Sequence, residues 1–219
     1  MTERKAGIAV SENVPAAGGA PSAERLPRVI LDAGHGGEDG GAVSAAGVTE
    51  KTLNLAVTLR LGDMLGAAGI PVLYTRETDT GLYDGAEPGH RKMADLRNRL
   101  AVAKAYPDAI FCSVHMNTCP GAPCRGTQIF YSTRDAGSRI LAENLQDAVK
   151  TYLQPDNTRE VKSAGSSIYL LDHSEGTAVL AECGFLSDPG EAALLSQAEY
   201  QEKLAAVFCS AILQYLNDK

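Results

Sequence analysis

Apolar residues follow two patterns along the chain, and the patterns alternate. Short apolar runs between Gly, Pro or polar residues predict buried strands, and apolar residues three and four positions apart predict amphipathic helices. The runs predict strands at residues 28–32, 70–75, 109–114, 127–132, 167–171 and 177–181. The helical spacing predicts helices within residues 53–68, 93–105, 141–153 and 204–216.

The alternation of strands and helices is typical of an α/β fold. We expect a single domain with a central, mostly parallel, twisted sheet of about six strands and with helices on both faces. A length of 219 residues is compatible with one domain. We place the folded domain at residues 27–219, because residues 1–26 carry neither pattern and are rich in small residues, Pro and Gly, as in a disordered tail or linker.

The charges limit the partners that we expect. The 20 Lys and Arg against 27 Asp and Glu give a net charge of −7, so there is no basic excess with which to bind a nucleic-acid backbone. No apolar run approaches the roughly 18 residues of a membrane span. We therefore expect neither a nucleic-acid partner nor a membrane span in this chain.

The cysteines indicate neither a disulfide framework nor a thiolate zinc site. Their number, 5, is odd, and no C-x-x-C pair occurs. Cys119 and Cys124 share a loop rich in Pro and Gly and could form a bridge in an oxidising compartment. We expect free thiols instead. Cys112 and Cys183 lie in apolar strands, where a thiol is inert as a nucleophile.

Polar residues follow several predicted strands, at the sheet edge where α/β folds bind ligands. His35 follows the first strand and His115 follows the third. Glu50 follows the candidate N-cap Thr49, and a helix N-terminus favours the ionised carboxylate that a metal needs. Two histidines and one carboxylate are a ligand set of catalytic zinc, which keeps a fourth position open for water. We therefore predict a zinc site at this edge.

Glu182 is the candidate general base at the same edge. It ends the apolar run TAVLAE, so its carboxylate would be poorly solvated and its pKa raised. Such a carboxylate can take a proton from water that a metal has made more acidic. A metal and a positioned base together are suited to hydrolysing an unactivated amide.

Each of these residues also has a purely structural interpretation. Either histidine could be a hydrogen-bonded structural residue. Glu50 could serve only to favour the helix start, and Glu182 could cap a helix or pair with an arginine. His90 and His173 lie in polar segments, and we expect both at the surface.

The glycine-rich segment DAGHGGEDGG has a rival interpretation as a phosphate-binding loop. Asp39 stands where G-x-G-x-x-G needs its third glycine, and no G-K-[ST] follows. Glu38 and Asp39 would also repel a pyrophosphate. No G-x-S-x-G is present to support a serine hydrolase. We favour glycines that bring the backbone close to a metal ligand and a substrate.

Four segments resemble, in order, the signature segments of the zinc-dependent N-acetylmuramoyl-L-alanine amidases. They are VILDAGHGG, GVTEKTLNLAV, FCSVHMN and VLAECGFLSD. The resemblance runs from about Arg28 to the C-terminus and implies that residues 27–219 form an amidase domain. It implies that zinc is held by His35, Glu50 and His115. It also implies that Glu182 is catalytic, and that the reaction is hydrolysis of the amide between N-acetylmuramic acid and the L-alanine of the stem peptide.

The resemblance suggests two further residues of interest. Arg99, in LRNRLAVAK, matches a frequent arginine of the family that would either order the sheet edge or contact substrate. Asn117, in the same segment as His115, is a second candidate for a substrate contact. The chain departs from the family at Ala33, where proline is usual, and at Asp188, where asparagine is frequent, but neither position is a ligand.

Within the family, RGTQIFYS and IYLLDHSEGTAVLAECGFLSDPGEAALL are most similar to the germination-specific amidases of spore formers. This implies action on peptidoglycan of the spore cortex, towards muramic-δ-lactam, and an accessory lipoprotein as a partner. It also implies extracytoplasmic action, so we expect that an export signal or anchor is missing from this sequence. A partner-dependent or non-catalytic peptidoglycan-binding module stays open as an alternative, as does a zinc carboxypeptidase or deacetylase.

Overall fold

Strands and helices alternate along the folded part of the chain. The computed structural model describes residues 28–119, 121 and 124–218, and the predicted tail at residues 1–26 lies outside them. The strands are β1 (Val29–Ala33), β2 (Val72–Tyr74), β3 (Ile110–Asn117), β4 (Gln128–Tyr131), β5 (Lys162–Ser163) and β6 (Ala178–Phe185). The helices are α1 (Glu50–Ala67), α2 (Arg91–Ala105), α3 (Ala136–Tyr152), α4 (Tyr169–His173), α5 (Pro189–Leu195) and α6 (Ala198–Asn217). Within these residues, no helix is both long and apolar enough to cross a bilayer.

The strands form one sheet in the order β2-β1-β3-β6-β4-β5. Neighbouring strands are parallel except β4 and β6, which are antiparallel. The order places β1, β3 and β6 side by side, so their carboxyl ends share one edge of the sheet. The predicted six-stranded, mostly parallel sheet is confirmed.

Helices cover both faces of the sheet, as predicted. On one face α1, α3 and α6 pack over strand residues such as Leu31 and Val179. On the other face α2 and α4 pack over Ile30 and Phe111. Successive strand residues point to opposite faces, so Ile30 and Leu31 of β1 enter different layers. Burial on both faces explains why these strands appear in the sequence as continuous apolar runs.

One predicted strand is wrong. Residues 167–171 lead into the helix α4, with Leu170 and Leu171 buried in the layer that also contains α2. The periodicity of such a short apolar run cannot separate a strand from one side of a helix. The sixth strand is instead β5, which is exposed and pairs with β4. Because β5 consists of a lysine and a serine, no apolar run reveals it.

Two central strands extend beyond their apolar runs. β3 continues through His115 to Asn117, and β6 continues through Glu182 to Phe185. The predicted positions of His115 and Glu182 just beyond the strands are therefore wrong. Both residues lie inside paired strands and face each other in the β3–β6 register. Pairing between the two strands, rather than hydropathy, sets where they end.

The cysteines divide into one bridged pair and three free thiols. Cys119 and Cys124 form a disulfide, so the expectation of free thiols is wrong for this pair. The free thiols are the buried Cys112, Cys183 and Cys209, as expected. Burial raises the pKa of Cys112 to about 12, so this thiol stays protonated near neutral pH and is a poor nucleophile.

Candidate active site

His35 lies in the turn after β1, with a backbone φ of +62°. Residues with a side chain seldom adopt this left-handed region, so surrounding contacts must hold the turn. The Nδ1 atom of His35 lies 2.8 Å from Oδ2 of Asp39. Its other ring nitrogen, Nε2, lies 3.2 Å from Oε1 of Glu50. Asp39 thus orients the ring so that Nε2 is directed at Glu50.

Glu50 is the first residue of α1 and is 4% exposed. Its Oε1 lies 2.9 Å from Nδ1 of His115, and the backbone amides of Ala42 and Met116 donate hydrogen bonds to its carboxylate. Burial alone would raise the pKa of Glu50, but His115 and His35 hold this pKa well below its usual range. Glu50 is therefore an ionised carboxylate, the form that binds a metal ion.

The three predicted metal ligands come together at the sheet edge. One ligand atom from each of His35, Glu50 and His115 lies within 4.8 Å of the others. A Cβ on Gly34 would lie 2.2 Å from the His115 ring, and a Cβ on Gly41 would lie 2.5 Å from Oε2 of Glu50. The two glycines therefore allow the ligands to converge. Imidazole and carboxylate donors at this spacing fit a divalent transition-metal ion. We call His35, Glu50 and His115 the ligand cluster.

Glu182 stands beside the ligand cluster on the neighbouring strand, β6. It is opposite His115 in the β3–β6 register. Its Oε2 atom is buried and has no hydrogen-bond partner among the residues that the structure describes. Burial raises the pKa of Glu182, because water no longer stabilises the charged form. A poorly solvated carboxylate beside a metal-binding cluster is suited to accept and donate protons.

Arg99 is only 1% exposed, and protein groups surround its guanidinium. It donates to Oδ1 of Asp32 at 2.6 Å, and to the carbonyl oxygens of Ala33 and His35 at 2.7 and 2.6 Å. It also pairs with Asp95, which precedes it by one turn of α2. These contacts fit the first of the two expected roles, ordering the sheet edge. They leave almost no surface of Arg99 for a contact with substrate.

Asn117 ends β3 at the same edge of the sheet. Its Oδ1 accepts a hydrogen bond from the amide of Thr118, and its carbonyl oxygen accepts one from the amide of Leu186. Within the described part of the chain, none of its hydrogen bonds reaches the ligand cluster. A substrate contact by Asn117 stays a prediction. The other two histidines, His90 and His173, are exposed as expected.

The glycine-rich segment packs against a neighbouring loop. The amide of Gly37 donates to Asp79 at 2.9 Å, and the amide of Glu38 donates to the hydroxyl of Tyr83 at 2.9 Å. A phosphate-binding loop would need free amide donors of this kind. Because Asp79 and Tyr83 already use them, the geometry favours the metal-site interpretation of this segment.

The edge also contains residues that the sequence analysis does not assign to the site. From the sequence, Asp39 serves only as an argument against phosphate binding. Asn54, one helical turn beyond Glu50, donates to Oε1 of Glu50 at 3.3 Å and to the Gly34 carbonyl oxygen at 3.1 Å; the i, i+4 spacing could have indicated it. Arg76 directly follows the predicted second strand. The strand-end rule that selected the histidines would have indicated Arg76 as well.

Comparison with known proteins identifies the family of the chain. The family model for N-acetylmuramoyl-L-alanine amidases matches residues 29–214. The chain belongs to this family. It is 37% identical over 193 residues to the germination-specific N-acetylmuramoyl-L-alanine amidase of Bacillus subtilis strain 168, an alignment that covers 87% of this chain and 80% of that protein. The resemblance seen in the sequence is confirmed, and the chain is a peptidoglycan amidase.

Solved structures of amidases share the fold. The CwlD amidase from Clostridioides difficile, solved in complex with the GerS lipoprotein, superimposes with a TM-score of 0.83 at 36% identity, covering 87% of this chain and 98% of that one. An N-acetylmuramoyl-L-alanine amidase from Clostridium difficile 630 has a TM-score of 0.75 at 27% identity, covering 87% of this chain and 97% of that one. The α/β architecture described above is therefore the fold of this amidase family.

Proposed function

We propose that the chain is a zinc-dependent amidase that hydrolyses the amide between N-acetylmuramic acid and L-alanine in peptidoglycan, with residues 27–219 as its catalytic domain. The observation that carries the proposal is the convergence of His35, Glu50 and His115 within 4.8 Å, beside the buried carboxylate of Glu182. Two imidazoles and one carboxylate are the ligand set of zinc hydrolases that keep one coordination position open.

Zinc held by His35, Glu50 and His115 would supply Lewis-acid chemistry, which polarises an amide carbonyl and makes water more acidic. Glu182 would carry the proton. Its carboxylate accepts a proton from the attacking water as the water oxygen bonds to the amide carbon. It then donates that proton to the nitrogen of L-alanine as the C–N bond breaks. The raised pKa of Glu182 suits both transfers, because a pKa nearer to neutral pH lets the same group accept and then donate a proton.

We infer that the substrate in the cell is cortex peptidoglycan, on the outer side of the cytoplasmic membrane. The 37% identity to a germination-specific amidase supports this. Cleavage there would free the lactyl carboxyl group of muramic acid, which formation of a muramic-δ-lactam requires. An accessory lipoprotein is a further proposed partner, because a similar amidase, CwlD from Clostridioides difficile, was solved in complex with the GerS lipoprotein.

The test is product analysis with matched variants. Purified protein is incubated with zinc and cortex peptidoglycan, and the products are identified by mass spectrometry. We expect free stem peptides that begin with L-alanine. These products should disappear in Glu182→Gln and after treatment with a chelator. They should persist in Glu143→Gln, which alters a partly exposed glutamate on α3 that pairs with Arg139.

Four outcomes would overturn the proposal. Shortened stem peptides would indicate a carboxypeptidase, and loss of acetate would indicate a deacetylase. Zinc-loaded protein that binds peptidoglycan but cleaves nothing, with or without a partner lipoprotein, would indicate a binding module. Glu182→Gln turning over as fast as the wild type would exclude Glu182 as the proton carrier.

A further inference from the structure

Arg76 is a buried cation at the sheet edge that carries the ligand cluster. It is 4% exposed and lies just beyond the end of β2. Its Nε donates to the carbonyl oxygen of Ala33 at 2.8 Å, and its Nη1 donates to that of Thr78 at 3.0 Å. Every hydrogen bond that the structure gives this guanidinium therefore ends on a main-chain carbonyl, including the two from Nη2 described next.

The Nη2 atom of Arg76 joins two separate segments of the chain. It donates to the carbonyl oxygen of Gly34 at 2.9 Å and to that of Lys51 at 2.9 Å. Gly34 immediately precedes His35, and Lys51 immediately follows Glu50. One guanidinium thus ties the turn that carries the first ligand to the helix start that carries the second.

The burial of the Arg76 guanidinium costs free energy, so a role that needs this cation would explain its position. The carboxylates that favour its charge, Asp32, Asp79 and Asp95, have their direct ion pairs with other cations. Burying a charge without a direct ion pair carries a desolvation penalty that backbone hydrogen bonds and these nearby carboxylates only partly offset. Burial and the nearby guanidinium of Arg99 lower the pKa of Arg76 to about 10. An apolar side chain of similar size would avoid that penalty but would supply no donors.

The turn at His35 has a particular need for such donors. Its φ of +62° places a residue with a side chain in the left-handed region, and such a backbone persists only where its surroundings hold it. Arg76 binds the carbonyls of the two preceding residues, Ala33 and Gly34. Removing Arg76 would leave Arg99 and Asn54 as the side chains that bind the carbonyls of this turn, and it would loosen the connection of the turn to α1.

We propose that Arg76 is a positioning residue for the metal centre. It holds the backbone beside His35 and beside Glu50, so that the two ligands keep their separation before a metal ion binds. Arg76 acts through these backbone contacts and not by touching substrate. The inference rests on the zinc site of the proposed function.

The test compares zinc affinity with stability in metal-free protein. The dissociation constant for zinc is measured by competition with a chelating indicator, and the Tm is measured on the same preparations. We expect Arg76→Met to bind zinc about 10- to 100-fold more weakly, as is typical when a group that orients ligands is removed. Arg76→Lys should recover part of the affinity, because an ammonium group reaches fewer carbonyls than a planar guanidinium. Leu141→Ala, which opens a cavity in the core at α3, should lower Tm without changing zinc affinity.

The outcomes distinguish a failure of the positioning role of Arg76 from a failure of the proposed zinc site. Arg76→Met with a lower Tm but wild-type zinc affinity would overturn the positioning role, because a merely structural residue would behave in that way. If Arg76→Met does not fold, Arg76→Lys decides in the same way: weakened binding supports the role, and unchanged binding overturns it. Wild-type protein that binds no zinc would overturn the metal centre itself, and the role of Arg76 with it.

Discussion

Asp39 and His35 form a hydrogen-bonded pair, with Oδ2 of Asp39 2.8 Å from Nδ1 of His35. The other ring nitrogen, Nε2, is therefore the one presented to Glu50, at 3.2 Å from its Oε1. A carboxylate in this position sets both the tautomer and the orientation of a metal-binding histidine. The side chain of Asp39 is 44% exposed, so its removal tests the orientation of His35 without opening the core.

We expect Asp39→Ala to weaken zinc binding about 10- to 100-fold, because the His35 ring loses the partner that aims Nε2 at the site. Competition with a chelating indicator measures the change. Glu143→Ala removes another partly exposed carboxylate, on α3, and should leave the affinity unchanged. Equal affinities for Asp39→Ala and the wild type would mean that other contacts orient His35.

Gly34 leaves space that the ring of His115 fills. A Cβ at this position would lie 2.2 Å from Cε1 of His115, and the backbone φ of Gly34 is not positive. The His115 ring, rather than the backbone conformation, therefore opposes alanine at this position. We expect Gly34→Ala to displace His115 and to abolish stoichiometric zinc binding, measured as metal content after dialysis. Gly165→Ala, where nothing lies within 4 Å, is the control; full zinc content in both variants would refute the expectation.

Arg99 and Asp32 form an ion pair that is almost completely removed from water, with side chains 1% and 0% exposed. Replacing one partner leaves the other as an uncompensated buried charge. We expect Arg99→Met to lower the free energy of unfolding by about 3–5 kcal/mol, measured by urea denaturation. Lys203→Met, which breaks an exposed pair with Glu199, should cost far less, because water screens an exposed ion pair. Similar losses in the two variants would contradict this account of the Arg99 pair.

Acid should weaken the same buried pair. Burial alone would raise the pKa of Asp32, but Arg99 and hydrogen bonds from Ser113 and Thr75 hold it below its usual value. The ionised carboxylate therefore stabilises the fold above the unfolded pKa of about 3.9, and this contribution is lost as the pH falls through the lower folded pKa. We expect the difference in unfolding free energy between wild type and Asp32→Asn to be constant from neutral pH to about pH 5, and to shrink below about pH 4. A difference of the same size at neutral pH and well below about pH 4 would show that the pKa of Asp32 is not lowered.

Much of the candidate site could be predicted because parallel strands impose a simple rule. Residues at the carboxyl ends of neighbouring strands must lie near one another, and this rule selected His35 and His115 from two strands and Glu182 from a third. The preference of a helix N-terminus for an ionised carboxylate indicated Glu50 as the third ligand. The resemblance to the family indicated Arg99 but could not tell an ordering role from a substrate contact, because burial depends on how α2 packs over the sheet.

By itself, the sequence determined the alternation of strands and helices, the two-sided burial of the sheet, and the edge where ligands would converge. These follow from local hydropathy and from the geometry of parallel strands. Only the tertiary structure decided that residues 167–171 lead into a helix, that His115 and Glu182 lie within paired strands, and that Arg76 binds the backbone beside His35 and Glu50. Arg76 reaches the carbonyl of Ala33 across 43 positions of sequence. Such contacts depend on strand order and on the packing of loops over the sheet edge, which no local pattern of residues encodes.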